Sequence, residues 1–321
     1  MTRLDTIVDV PGIKVGHAQD KDALTGCTVI LCGSGAVAGV DVRGSAPGTR
    51  ETDLLDPVNL VNQVHAICLS GGSAYGLDAA SGVMRYLEEQ GSGLFVGVGI
   101  VPIVPAAVLF DLAIGSSSIR PDASMGYKAA QNASCEPVAI GNVGAGCGAT
   151  VGKLAGFEHA MKSGLGSASV TLQSGVTVGA IVAVNAVGEV RDPKTGIVLA
   201  GARSEDGTLL DSLLLLQNEQ MQFLKPGTNT TIGVIATNAK LTKAEANKVA
   251  QMAHDGLART LFPVHTMHDG DTLFALSTGD INASVTMIGT LAADVLEKAV
   301  VRAVKEAAGA GGLLAYQDIY Q

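Results

Sequence analysis

The sequence has no tryptophan and few aromatic side chains of any kind, 3% in all, and only 16% of its 321 residues are charged. With 47% hydrophobic residues and a mean hydropathy of +0.34, this mix excludes a disordered chain, a coiled coil and a collagen-like chain. Cysteines number five (27, 32, 68, 135 and 147), with no CxxC pair among them. An odd count without such a pair argues against a disulfide framework or a zinc site, so buried thiols in a reducing cytoplasm are expected. Positive charge is also scarce. Lys and Arg total 21 against 30 Asp and Glu, a net charge of −9, which suits neither phosphate binding nor a nucleic-acid partner. No basic amphipathic stretch points to a membrane surface, and the first residues lack the apolar core of a signal peptide. The longest apolar run, 94–114, is interrupted by Pro102, Pro105 and Asp111, and reads as buried strand, turn and helix rather than a membrane span.

Glycine, by contrast, is abundant. There are 41, nearly twice the roughly 7% of average usage, so many must serve tight turns or close backbone contacts. The expected class is a soluble intracellular α/β protein with a large core, folded as a single domain over 1–321. Runs rich in Val, Ile and Ala predict buried strands at 27–31, 66–69, 94–97, 169–172, 178–185 and 231–237, with another at 272–276. Helical periodicity is clear over 73–89, 242–259 and 285–304. The second of these helices opens with Thr242-x-x-Glu245, a capping box. Segment 191–230 is polar at both ends, around Pro193, Gly196 and Pro226-Gly227, with a leucine-rich stretch between, and reads as loop-like at both ends.

The common catalytic motifs are missing: there is no G-x-S-x-G, no GxxxxGK[ST] and no HExxH. The glycine run from Gly141 to Gly148 lacks the strand, helix and ribose-binding acid of a dinucleotide site, so tight turns and close packing explain it better. His265, His268 and Asp269 suggest a metal, but one such cluster without a partner histidine reads better as solvated loop residues. Asn229-Thr230 stands where a polar loop meets an apolar strand, and Asp269-Gly270-Asp271 precedes another. Taken alone, both are ordinary turn sequences.

Several longer motifs change that. They are 12–17 (GIKVGH), 38–53 (AGVDVRGSAPGTRETD), 69–80 (LSGGSAYGLDAA), 101–107 (VPIVPAA), 144–148 (GAGCG), 164–166 (GLG) and 229–238 (NTTIGVIATN). In this order, along most of its length, the chain resembles the L-aminopeptidase/D-esterase family, which includes β-peptidyl aminopeptidases and nylon-oligomer hydrolases. The resemblance implies a four-layer αββα sandwich of the N-terminal-nucleophile-hydrolase kind. It also implies a chain that cuts itself once, between Asn229 and Thr230, into 1–229 and 230–321.

Thr230 would then carry both the nucleophilic hydroxyl and a new α-amino group to serve as base. Thr231 stands next to it, but the motif favours Thr230. Asn185 matches the residue that stabilises the oxyanion through its amide donor. Lys153 and the pair Asp269 and Asp271 match the nylon-oligomer branch; the aminopeptidase branch has Ser-x-Glu where the two acids stand. A lysine in so apolar a run needs a partner, and a site carboxylate would provide one. Acids two apart on an extended chain point the same way, so both are expected to face Thr230. Two close carboxylates share a proton, which suits the acid–base work of scission.

The implied activity is hydrolysis of linear ω-amino-acid amides such as 6-aminohexanoate oligomers. The alternative is an aminopeptidase, amidase or esterase releasing N-terminal residues from short peptides, including D- or β-amino-acid peptides. A non-catalytic binding protein that kept the fold is a third class, disfavoured by intact Thr230, Asn185 and aspartates. The implied substrate is a small amide or peptide. No cofactor or metal is expected, and the assembly expected is a tetramer of processed αβ units.

Overall fold

The chain is described here from a computed structural model covering residues 4–221 and 227–320. Nine strands form one hydrogen-bonded ladder. They are β1 (Lys14–Asp20), β2 (Thr25–Val42), β3 (Thr49–Arg50), β4 (Val64–Ser70), β5 (Ala106–Val108), β6 (Leu165–Thr171), β7 (Thr177–Asn185), β8 (Thr230–Ala239) and β9 (Thr272–Ile281). The order is β6-β7-β8-β9-β2-β4-β5-β3, with β1 also paired to β2. Strand β2 breaks register between Leu31 and Ala36. Its first half pairs with β1 and β4, and its second half with β9. The ladder therefore bends into two sheets that share β2.

Side-chain alternation along the strands then builds four layers. In β2, Cys27, Val29 and Leu31 pack against helices α1 (Ala79–Glu89) and α2 (Ala123–Gln131). Ile30 and Cys32 turn the other way, into a layer shared with Ile67 and Leu69 of β4, Ile181 of β7, Ile232 and Val234 of β8 and Phe274 of β9. That middle layer lies between the sheets. The short helix α3 (Ser212–Gln217) lies apart from it, in a small cluster with Leu154 and Val187. On the far face, Val178, Val182, Ile235 and Leu273 meet helices α4 (Lys243–Thr260) and α5 (Val285–Lys305). Strands β7 and β8 are buried on both faces along their whole length, which is why they read as continuous apolar runs. Full burial of each Val, Ile or Leu contributes about 1.5–3 kcal/mol.

Helix α4 begins at the expected capping box. The Thr242 hydroxyl accepts the Glu245 N–H at 3.3 Å, and the Glu245 carboxylate accepts the Thr242 N–H at 2.8 Å. The expected 73–89 helix is 3-10 over Ser73–Asp78 and α-helical from Ala79. Helices α1 and α2 cross at glycines: a Cβ on Gly82 would lie 1.7 Å from the Ala123 carbonyl oxygen, and one on Gly126 1.9 Å from that of Ala79.

Two expectations are corrected. Run 94–114 is not buried strand, turn and helix: Leu94–Phe95 and Ile100–Val101 form a hairpin that leaves Phe95 71% and Val98 98% exposed. After it, Pro102 and Pro105 remove backbone donors, and the chain forms only the short strand β5. Between its polar ends, segment 191–230 holds strand Val198–Ala200 and, in the leucine-rich stretch, helix α3; of the expected Pro226-Gly227 turn, Pro226 lies outside the described residues. All five thiols are free, but Cys135 is exposed rather than buried. Among the described residues, no helix is long and apolar enough to cross a membrane.

Candidate active site

Strands β8 and β9 run parallel, with Ile232 paired to Thr272. The register extends back through an Asn229–Asp269 bridge, which sets Thr230 opposite Gly270 and Thr231 opposite Asp271. Position 270 has to be small: a Cβ there would lie 2.9 Å from Thr230 Oγ1 and 2.8 Å from the Ala46 carbonyl oxygen. On the other side of β8, Asn185 at the end of β7 pairs with Thr230. The Asn229–Thr230 peptide is thus clamped between two strands, with both residues buried.

The Thr230 hydroxyl donates to the carbonyl oxygen of Asn229, its own preceding residue. The same oxygen accepts the Gly270 N–H at 2.9 Å. A hydroxyl therefore rests against a carbonyl whose oxygen already faces a fixed backbone donor. Negative charge developing on that oxygen would be stabilised without reorganisation.

Lys153 and Asn185 form the next contact. Lys153 Nζ donates to Asn185 Oδ1 at 2.9 Å, to the Asn185 carbonyl at 3.0 Å, and to the carbonyl and hydroxyl of Thr150, each at 3.1 Å. Asn185 Oδ1 also accepts the Thr150 N–H at 3.0 Å. With three donors on its oxygen, the amide has one orientation, and Nδ2 points to the carbonyls of Phe110 at 3.0 Å and Thr228 at 3.5 Å. Burial pushes the Lys153 ammonium down to about 7, opposed in part by the charge of Asp269. The expected carboxylate partner is corrected here. Asp269 acts on Lys153 through space, and the hydrogen-bond partners are amide and hydroxyl oxygens.

Both aspartates are 1% exposed. Asp271 Oδ1 accepts the Thr231 N–H at 2.7 Å, and Asp269 Oδ2 accepts the Thr266 N–H at 2.8 Å. Burial first, and the neighbouring Asp271 second, push the Asp269 carboxyl up to about 6; hydrogen bonds from Thr266 and the Lys153 charge oppose the shift. The expectation that both acids face Thr230 is also corrected. Register aligns them with Asn229 and Thr231, so alternation sends them to the other face of β8 and leaves Gly270 against the hydroxyl. Asp271 grips the backbone just after the Asn229–Thr230 bond through the Thr231 N–H, while Asp269 holds its own loop at Thr266.

His265 is not a solvated loop residue. Its ring Nδ1 lies 2.8 Å from Asp271 Oδ2, and its side chain is only 17% exposed. Sequence reasoning missed this role, because a loop turn, not a periodic element, brings residue 265 back to Asp271. Among the described residues, no group of three or more His, Cys, Asp or Glu is placed to hold a metal ion. The structure thus gathers Thr230, Asn229, Asn185, Lys153, Asp269 and Asp271 around one peptide bond, and adds His265 and Gly270.

Comparison with known proteins gives this arrangement its class. The L-aminopeptidase D-Ala-esterase/amidase of Ochrobactrum anthropi, described as a variant of the Ntn-hydrolase fold, superposes with a TM-score of 0.74 at 20% identity, over 96% of this chain and 88% of its own. A β-aminopeptidase of Burkholderia sp. superposes with a TM-score of 0.72 at 22% identity, over 97% and 89%. The fold is that of the Ntn-hydrolase-type aminopeptidases.

The sequence profile of peptidase family S58 matches residues 5–315. An uncharacterised aminopeptidase of Mycobacterium tuberculosis is 46% identical over 347 aligned positions, covering 99% of this chain and 98% of its own. A 6-aminohexanoate-oligomer endohydrolase of Kocuria sp. (strain KY2) is 33% identical over 313 positions, covering 92% and 85%. The chain belongs to peptidase family S58 and is a hydrolase of the peptide or amide-bond type.

Proposed function

We propose that the chain cuts its own Asn229–Thr230 bond and then hydrolyses small amides with Thr230 as an N-terminal nucleophile. One observation carries the reading: the Thr230 hydroxyl lies on the carbonyl it would attack, and the Gly270 N–H already holds that carbonyl's oxygen. In scission, Oγ1 adds to the Asn229 carbonyl carbon while its proton passes to a base. The C–N bond then breaks, nitrogen gains a proton, and an Asn229 ester on Oγ1 results. Water hydrolyses the ester, freeing the Asn229 carboxylate and the Thr230 hydroxyl and amine. Before scission the Thr230 nitrogen is an amide and cannot be the base, so another group must take the proton; we assign that task to Asp269, raised to about 6 and paired in register with Asn229, with the proton relayed past the strand edge rather than handed over by direct contact. After scission the α-amino group takes over, and Asn185, oriented by Lys153, supplies an amide donor to the oxyanion.

The proposed substrates are linear ω-amino-acid amides of the 6-aminohexanoate type, a reading supported by Asp269, Asp271 and Lys153 and by the Kocuria relative. A second reading, release of N-terminal residues from short peptides, is favoured by the name of the more similar mycobacterial relative. Assaying a 6-aminohexanoate oligomer beside alanine p-nitroanilide separates the two. Faster cleavage of the oligomer supports the first; turnover of the anilide alone overturns it. The processed units are proposed to assemble as a homotetramer in the cytoplasm, and sedimentation as a single αβ unit at micromolar concentration would contradict that assembly.

A further inference from the structure

The Asp271 carboxylate holds three hydrogen bonds, and two of them come from one residue. Its Oδ1 accepts the Thr231 N–H at 2.7 Å. Its Oδ2 accepts the backbone N–H of His265 at 3.1 Å and meets the same residue's ring Nδ1 at 2.8 Å. His265 has a φ of 56°, a left-handed backbone that few residues other than glycine adopt. In that conformation its N–H and its ring converge on one carboxylate oxygen.

The other side of the ring is closed. His265 packs edge-to-face on His254 of α4, with ring centroids 4.7 Å apart. His254 is fully buried, and its Nε2 meets the Asp41 carbonyl at 3.0 Å. The charged groups around His265 are therefore Asp269 and Asp271 on its own loop and, behind His254, Asp41 with its partner Arg43 at the end of β2. Lys153 acts on the pair from the other side, through Asp269. The Nε2 of His265 is buried and finds no hydrogen-bond partner among the described residues. A buried nitrogen without a partner is better tolerated as a lone pair than as an N–H. That assigns the ring's proton to Nδ1, where it is donated to Asp271.

We propose that His265 is a positioning residue of the cleavage site: donating from Nδ1, its ring fixes Asp271 as the acceptor that holds the Thr231 N–H beside the Asn229–Thr230 bond. The inference rests on the reading of Thr230 as the self-cleaving residue, because it names what orients the acid beside that bond. With three donors on its two oxygens, the Asp271 carboxylate has one orientation, which keeps Oδ1 on the Thr231 N–H beside the scissile bond. Without the ring donor, Oδ2 loses its shortest contact and the carboxylate can turn away from that N–H.

The test contrasts variants that differ in where a donor stands. His265→Asn puts an amide nitrogen where Nδ1 lies, and Asn tolerates the left-handed backbone. His265→Gln carries its amide out to the position of Nε2, and His265→Ala has none. The Asn variant is expected to keep most of the wild-type self-cleavage rate. The Gln and Ala variants should slow by about 10–100-fold. An Asn variant as slow as Ala, or a Gln variant as fast as wild type, overturns the proposal; the Asn–Gln contrast decides even if Ala fails to fold.

A measurement independent of cleavage accompanies this. Ring nitrogen NMR of uncleaved Thr230→Ala, recorded at about pH 8, should show the His265 ring proton on Nδ1 and a bare Nε2. The opposite tautomer contradicts it. If the wild-type chain does not cut itself, the reading of Thr230 fails, while the tautomer still decides the role of His265.

Discussion

Lys153 and Lys162 lie close in sequence, both are buried, and burial pushes both ammonium groups down to about 7. Their company differs. Lys162 Nζ donates to the carbonyls of Gly146 at 3.2 Å, Ala149 at 3.0 Å and Ser163, all of them backbone. It pins the turn that contains the 3-10 helix Gly144–Gly146 to the strand Met161–Lys162. Lys153 spends its bonds on Thr150 and on Asn185, whose amide stands beside the Asn229–Thr230 bond. A depressed lysine pKa marks burial. The partner decides whether the lysine belongs to the chemistry.

The largest expected effect breaks chemistry away from packing. Thr230→Ala should abolish self-cleavage and amide hydrolysis together, with thermal melting close to wild type, and Thr230→Ser should retain part of both; intact mass and an amide assay check this. The two lysines come next. Lys153→Met should slow self-cleavage by about 10–100-fold, because the Asn185 amide oxygen loses its charged donor, one of the three that orient it. Lys162→Met should instead cost about 1–3 kcal/mol of stability by leaving buried carbonyls unpaired, and the molecules that fold should still cut themselves. Cleavage time courses paired with urea denaturation distinguish them, and equal effects on both readouts in both variants would erase the contrast.

Asp269 sharpens the same comparison, because its carboxyl is raised where the lysines are lowered. If it is the base of scission, self-cleavage should rise with pH through about 6. Asp269→Asn should remove that limb and hurt processing at least as much as turnover; an unchanged pH profile would assign Asp269 to substrate binding. The smallest effect is on stability. Both lysines titrate at about 7 when folded and near 10.5 when unfolded, so between those values the unfolded chain holds more protons. Stability from these groups therefore rises with pH across that window, and the full cost of burying the charges is felt below it. In denaturation at stepped pH, Lys162→Met should flatten the rise.

What the sequence made legible follows the same division between packing and partners. Strands β7 and β8 were readable because burial on both faces leaves an unbroken run of Val, Ile and Ala. Helix α4 was readable because Thr242 and Glu245 are a local pair. Strand β1 and helix α2 escaped, the former because it carries Lys, His, Gln and Asp among few apolar residues, the latter because it is short and contains Gly126.

Thr230, Asn185, Lys153 and the two aspartates came from resemblance; as residues, Asn-Thr and Asp-Gly-Asp are ordinary turns. Which oxygen Lys153 reaches, which face the acids take and what His265 holds all depend on pairing between β8 and β9 and on a left-handed turn. Those facts belong to long-range register, which no local pattern carries.

The intact mass of purified wild-type chain after extended incubation tests the central claim most directly. The account predicts two fragments, one ending at Asn229 and the other beginning at Thr230 with a free α-amino group. A single uncut chain, or a cut at any other bond, would contradict it.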